Sequence, residues 1–221
     1  MFPSVLDSLI SNANATRVVI DYEDYHSIDS LVEASYRKNA PILGYAYPNG
    51  QRRPKTMLFT WFFAKSGVSG YFGPFFNEVH LNGELLPTEY PFVLAHEKAH
   101  QFGVSGEAEA NFLAWYICNE SHDKRLIYSA NIQLLQYFFA DPYHHEAIRE
   151  FLKRFDKKAL ADIMAQRNHW KALRNETLDK VQTSANNAYL KSNKIHDGVM
   201  NYNSVVRLAI EWYLNKYPEL L

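Results

Sequence analysis

The chain has one cysteine, Cys118, among its 221 residues. A lone thiol excludes an internal disulfide framework and any zinc finger built on cysteines. It sits in the apolar run 113–118, so it reads as a buried, inert thiol rather than a nucleophile. No run approaches the ~18 consecutive apolar residues that a membrane-spanning helix needs. Residues 1–7 lack a basic region and are interrupted at Asp7, so no secretory signal is expected. The chain as given is expected to be soluble. Neither sign of charge dominates, with 23 Lys and Arg against 24 Asp and Glu. That balance makes no electrostatic case for nucleic acid, and no Lys/Arg block points to an anionic membrane surface.

What is present suits one α-rich domain. Apolar residues make up 47% and charged residues 21%, the balance of a globular chain able to bury a sizeable core. Val5, Leu6, Leu9 and Ile10 give residues 4–13 an apolar helical face, and Ile28, Leu31, Val32 and Tyr36 do the same for 27–38. Residues 17–22 are rich in Val and Ile and read as a strand. Gly44, Pro48 and Gly50 make 41–54 a loop or hairpin. The aromatic run 57–64 fits a buried strand or a short helix, which periodicity does not separate. Residues 67–73 read as a glycine-punctuated turn, and 75–81 as a strand ended by Asn82-Gly83.

Beyond residue 121 glycine is nearly absent. Apolar spacings of three and four there predict helices at 121–139, 142–155, 158–173, 176–191 and 204–216. The expected fold class is α+β, predominantly helical. A single domain covers 1–221, with a small sheet within about 1–87 near the motif helix, and helices over 88–221.

The stretch 91–111 carries the chemistry. His96-Glu97-Lys98-Ala99-His100 is a His-Glu-x-x-His pattern on a segment that is otherwise apolar nearly all round. On a helix, His96 and His100 stand one turn apart on one face, where both can bind one Zn2+. Glu97 follows the first histidine directly, where a general base for an attacking water would stand. The bland alternative is two helix-face histidines satisfied by their neighbours. Against it, positions 93, 96, 97 and 100 share a face, burial of such groups is costly, and a carboxylate-bearing helix follows after a short turn.

Catalytic zinc takes three protein ligands and keeps one position open. Glu107 and Glu109 are the nearest candidates for the third, and they lie about 200° apart around a helix, so only one faces the metal. Glu107 is favoured because it shares its face with Ala110, Asn111 and Ala114, small enough for close approach. Glu109 shares its face with Phe112, Leu113 and Tyr116, which reads as packing. Either acid is welcome in a helix's first turn for its effect on the macrodipole alone. Asn111 is placed to hydrogen-bond the outer nitrogen of a ligand histidine. His122, His144 and His145 read as surface residues at helix starts.

Glu107-x-x-Ala110-Asn111 resembles the Glu-x-x-Ala/Ser-Asp/Asn signature of the gluzincins, the zincin-like metallopeptidases that include thermolysin. That resemblance implies Glu107 as third zinc ligand and Asn111 as support for a histidine. Only six residues separate His100 from Glu107, fewer than in thermolysin. Over much of its length the chain is also similar to an uncharacterised bacterial domain-of-unknown-function family of predicted membrane-anchored zinc peptidases. The likeness rests on residues 67–75 (Gly-Val-Ser-Gly-Tyr-Phe-Gly-Pro-Phe), 86–87, 96–114, Tyr128-Ser129, 189–193 and 198–202. It implies a Zn2+ cofactor, a peptide or protein substrate and, in full-length members, a transmembrane anchor ahead of this domain.

In that scheme Glu97 takes a proton from water as it attacks a carbonyl, then passes it to the leaving amine. A further donor should stabilise the oxyanion, and Tyr202 and Tyr128 are the candidates. Related enzymes hold an extended substrate by strand addition, for which 75–81 is the expected element, with His80 on it facing either the cleft or ordinary surroundings. Two other classes fit the same residues: a zinc-binding sensor or binding module without turnover, and a zinc amidohydrolase acting on a non-peptide amide. Glu97 argues against a purely structural zinc, which would close with four ligands and need no base.

Overall fold

The computed structural model describes residues 1–47, 52–141, 143–175 and 201–218, the side chains of 201–203 excepted. Its helices are α1 (Phe2–Thr16), α2 (Tyr25–Asn39), α3 (Thr60–Lys65), α4 (Tyr90–Gln101), α5 (Glu107–Glu120), α6 (Lys124–Phe139), α7 (His145–Leu152), α8 (Lys157–Leu173) and α9 (Asn201–Lys216). Three short strands, β1 (Lys55–Thr56), β2 (Gly70–Gly73) and β3 (Glu78–Leu81), form one sheet in the order β1-β3-β2. The chain is mainly helical with a small sheet, the α+β class its patterning predicts. The predicted helix over 176–191 lies outside the described residues.

Local chemistry sets the helix starts. Asp123 accepts from the Arg125 amide at 2.9 Å, and Asp156 accepts from the amides of Lys158 and Ala159 at 2.8 and 3.1 Å. Each carboxylate satisfies first-turn donors that the helix leaves without partners. One hydrophobic cluster then joins α1, α2, α4, α5, α6, α8 and α9, running from Phe2 to Tyr213. No helix among the described residues is long and apolar enough to cross a membrane.

Local expectations for 17–22, 67–73 and 75–81 are corrected, and the open choice at 57–64 is settled. Residues 17–22 join no strand: Ile20 is buried in the hydrophobic core, and Arg17 pairs with Asp162 at 3.1 Å. Strand propensity without a partner strand yields no ladder. The run 57–64 resolves to the helix α3, opened by a 2.9 Å bond from Thr60 Oγ1 to the Met57 carbonyl. The expected turn at 67–73 contains the strand β2, and the expected strand 75–81 shrinks to β3, with Asn77 at φ 55 in the turn before it.

The sheet's register positions the site. β3 is central, parallel to β1 with Lys55 opposite His80, and antiparallel to β2 with Tyr71 opposite His80. Val79 and Leu81 are buried toward α4, so by alternation Lys55, Tyr71 and His80 stand on the outer face. β2 is thus the edge strand beside α4.

Candidate metal centre

α4 is anchored before any chemistry begins. Pro91 sits in its first turn, and the next amide, Phe92 N–H, donates to Ser129 Oγ at 3.2 Å. Tyr36 donates its hydroxyl to the Ala95 carbonyl at 2.6 Å. Tyr90 stacks on Tyr25 with centroids 3.6 Å apart and donates to Asp29 at 2.8 Å. On the side away from the histidines, the buried Lys98 ammonium pairs with Glu33 and donates to the Arg52 carbonyl at 2.9 Å. These bonds fix the rotation of the helix, and so the direction of His96 and His100.

The turn that follows explains the short gap to Glu107. Gly103 takes φ +90 and donates to the His100 carbonyl at 2.9 Å, while Val104 N–H reaches back to the Ala99 carbonyl at 3.2 Å. That pair of bonds is the Schellman arrangement, which needs a left-handed residue just past the helix end. The reversal leaves the Val104 carbonyl 2.7 Å from His100 Nδ1. A carbonyl only accepts, so Nδ1 carries the proton and Nε2 keeps its lone pair. Gly106 then begins α5, whose first residue is Glu107.

The result is a converging triad. His96 Nε2 lies 3.1 Å from His100 Nε2 and 3.3 Å from one Glu107 carboxylate oxygen; the other oxygen is 3.6 Å from His100 Nε2. These three side chains can present one ligand atom each to a single metal ion. Glu109 takes no part, because its carboxylate folds back against Gly106.

The charges respond to one another. Burial alone would lower the His96 pKa, but its hydrogen bond to Glu107 and the charge of Glu97 raise it above the usual imidazole range. His100 moves the opposite way, lowered by burial and by His96. Burial would raise the Glu107 pKa, yet the bond to His96 and both imidazoles hold it below the usual carboxylate range. Asn111, buried one turn after Glu107, adds a smaller push on His96 in the same direction as Glu107. His96 Nδ1 itself has no hydrogen-bond partner among the described residues.

Glu97 points to the other side of the same space. It is buried, and that burial pushes its pKa up to about 7, with His96 opposing the rise and Glu107 adding to it. The edge strand comes close at this point: a Cβ built on Gly70 would stand 2.6 Å from Glu97 Oε1. Only glycine lets the backbone pass there without displacing the carboxylate.

The remaining sequence candidates fall elsewhere. Tyr128 is buried and donates its hydroxyl to Asp162, which also meets Arg17. His80 lies on the outer sheet face, stacked on Tyr71 at 4.7 Å and 3.3 Å from Glu78, so it faces away from α4. His122 and His145 are exposed, and His144 stacks on Phe2 at 3.8 Å. Tyr202 is in the first turn of α9, and its side chain lies outside the described residues. Cys118 is buried, and burial pushes its thiol pKa far up, which keeps it inert.

Sequence reasoning missed Gly70, Lys98 and Ser129. A glycine followed by an aromatic pair is the available signal for a close backbone approach at Gly70. Lysine in an otherwise apolar helix was the signal for a buried ion pair at Lys98. Ser129 stands in the Tyr128-Ser129 stretch of the family likeness, which gave it no role.

No curated protein and no solved structure matches the chain. A family model described as "Protein of unknown function (DUF3810)" matches residues 2–210, and the chain belongs to that family.

Proposed function

We propose that the chain is a zinc-dependent metallopeptidase in which His96, His100 and Glu107 hold Zn2+, Glu97 is the general base, and the substrate is a peptide or protein. The observation that carries this reading is the triangle of ligand atoms. Tetrahedral zinc with bonds of about 2.0–2.1 Å sets its ligands about 3.3 Å apart. The three separations here are 3.1, 3.3 and 3.6 Å. With Nδ1 of His100 donating to Val104, two imidazole nitrogens and a carboxylate converge on one point. Like lone pairs at that distance repel unless a proton or a cation lies between them.

Bound zinc would polarise a substrate carbonyl and bring the acidity of water near neutrality. The chain's own residues supply the rest. Glu97, with its pKa about 7, is poised to accept a proton from water at physiological pH and return it to a leaving amine. His100 is held in its tautomer by Val104. The edge of β2 offers its backbone to an extended peptide, with Gly70 bringing that backbone against Glu97. This takes over the role expected of 75–81, since β3 is paired on both sides. The resemblance of Glu107-x-x-Ala110-Asn111 to the gluzincin signature supports the same assignment.

Metal analysis with a peptide-library digest tests the reading. The expected result is one zinc per chain and peptide cleavage, with cleavage alone lost in Glu97→Gln. A wild type that holds one zinc and cleaves nothing would instead favour a binding module. Zinc retained in Glu107→Gln but lost in Glu109→Gln would overturn the ligand set.

A further inference from the structure

The near-neutral charge of the whole chain hides a segregation. Between residues 34 and 77 stand Arg37, Lys38, Arg52, Arg53, Lys55 and Lys65, with no Asp or Glu among them. The same segment holds the three most exposed large apolar side chains of the described residues: Phe75 at 96%, Leu58 at 94% and Phe76 at 81%. Phe59 and Trp61 are also mostly exposed. Burial of apolar surface drives folding, so side chains left this open and this close together need a reason.

The sheet and the elements at its two ends carry these side chains. Its inner face, through Val79 and Leu81, is buried toward α4, and its outer face carries Lys55, Tyr71 and His80. α3 closes one end of that face, with Phe63 against Tyr71 at 5.9 Å between centroids and Phe62 edge-on to Trp61 at 6.0 Å. The turn bearing Phe75 and Phe76 closes the other end. Lys65 Nζ stands 5.3 Å from the centre of the Trp61 ring. Glu78, the carboxylate on this face, is matched by Lys55 at 2.5 Å and by His80 at 3.3 Å.

We propose that this outer sheet face, from α3 to the β2–β3 turn, docks on the surface of a bilayer containing anionic lipids. Leu and Phe side chains that protrude from tips can sink into the acyl boundary of a bilayer, which yields around them. Trp61 with Lys65 beside it is interfacial chemistry: an amphipathic ring at headgroup depth and an ammonium reaching phosphate. The cations are spread too widely along the sequence to form a block, and the fold sets Lys65 beside the exposed Trp61. Residues 66–69 alone connect α3 to Gly70, which lies against Glu97, so docking holds the metal cluster close to the lipid surface.

Co-sedimentation of the full chain with vesicles tests this, using phosphatidylcholine alone and phosphatidylcholine mixed with phosphatidylglycerol. The wild type is expected to sediment with the mixed vesicles and to remain in solution with phosphatidylcholine alone. Leu58→Ser/Trp61→Ser should weaken partitioning at least ~10-fold, and Phe75→Ser/Phe76→Ser should weaken it similarly. Lys65→Gln should weaken it about 5-fold. Far-UV circular dichroism should be unchanged, since these side chains lie outside the core. A wild type left in solution with the mixed vesicles overturns the proposal, as does equal binding to both vesicle types or an α3 variant that sediments like the wild type. If vesicles fail to bind while Leu58→Ser/Trp61→Ser abolishes self-association in sedimentation velocity, the face is a protein interface and the lipid assignment falls.

Discussion

Glu97 and Lys98 are neighbours on α4, both buried, and their charges are treated in opposite ways. Lys98, 1% exposed, is lowered in pKa by burial while Glu33 works against that shift; its ammonium meets Glu33 and the Arg52 carbonyl, and Tyr47 donates to the same Glu33. The Lys98 ammonium thus finds its partners within the protein. One residue earlier, Glu97 borders a cluster in which two imidazole nitrogens face each other at 3.1 Å and burial pushes the carboxyl up to about 7. A buried charge met by its own neighbours fixes structure, whereas converging nitrogens and carboxylates leave room for a cation between them.

Substitutions on the two sides should therefore separate cleanly. The largest effect is expected from Glu97→Gln. Its kcat for peptide hydrolysis should fall about 10^2- to 10^4-fold, with zinc content and unfolding midpoint kept. Loss of zinc or of stability in that variant would erase the contrast with Lys98.

Lys98→Met should do the reverse. Leaving Glu33 without its partner should cost about 3 kcal/mol of stability in urea unfolding, with zinc per folded chain unchanged. Adding Glu33→Gln should restore part of that loss, because no unpaired charge then remains.

Zinc itself sharpens the comparison. At about 100 times its Kd, it should raise stability by about 2.7 kcal/mol, read as an increase in Tm. The increase should vanish in His96→Ala and Glu107→Gln and persist in Glu109→Gln and Lys98→Met. The smallest expected effect is that of Gly103→Ala. A side chain at φ +90 should cost about 1 kcal/mol, and shifting Val104 off His100 should weaken zinc binding about 10-fold by competition titration.

Much of the site was legible in local pattern. The spacing of His96 and His100 and the adjacency of Glu97 follow from 3.6 residues per turn, so the chain alone shows them on one helix face. The preference for Glu107 over Glu109 also came from helix phase, and the structure puts Glu107 with both histidines and Glu109 against Gly106. The sheet was harder to read. Residues 17–22 have the composition of a strand and join none, while 67–73 read as a turn and contain one. Strand identity depends on a partner supplied by distant residues, and Gly70 becomes strand because β3 lies beside it.

By itself the sequence determined most of the helices, the histidine pair and its glutamate, because each depends on contacts within one or two turns of chain. Tertiary structure decided what faces them. The Schellman reversal at Gly103 turns the Val104 carbonyl onto His100 and carries Glu107 across to both histidines. Glu33 reaches Lys98 from α2, and the edge of β2 passes so close to Glu97 that only glycine fits at position 70. The last two are encounters between segments far apart in sequence, set by how the core packs rather than by any local periodicity.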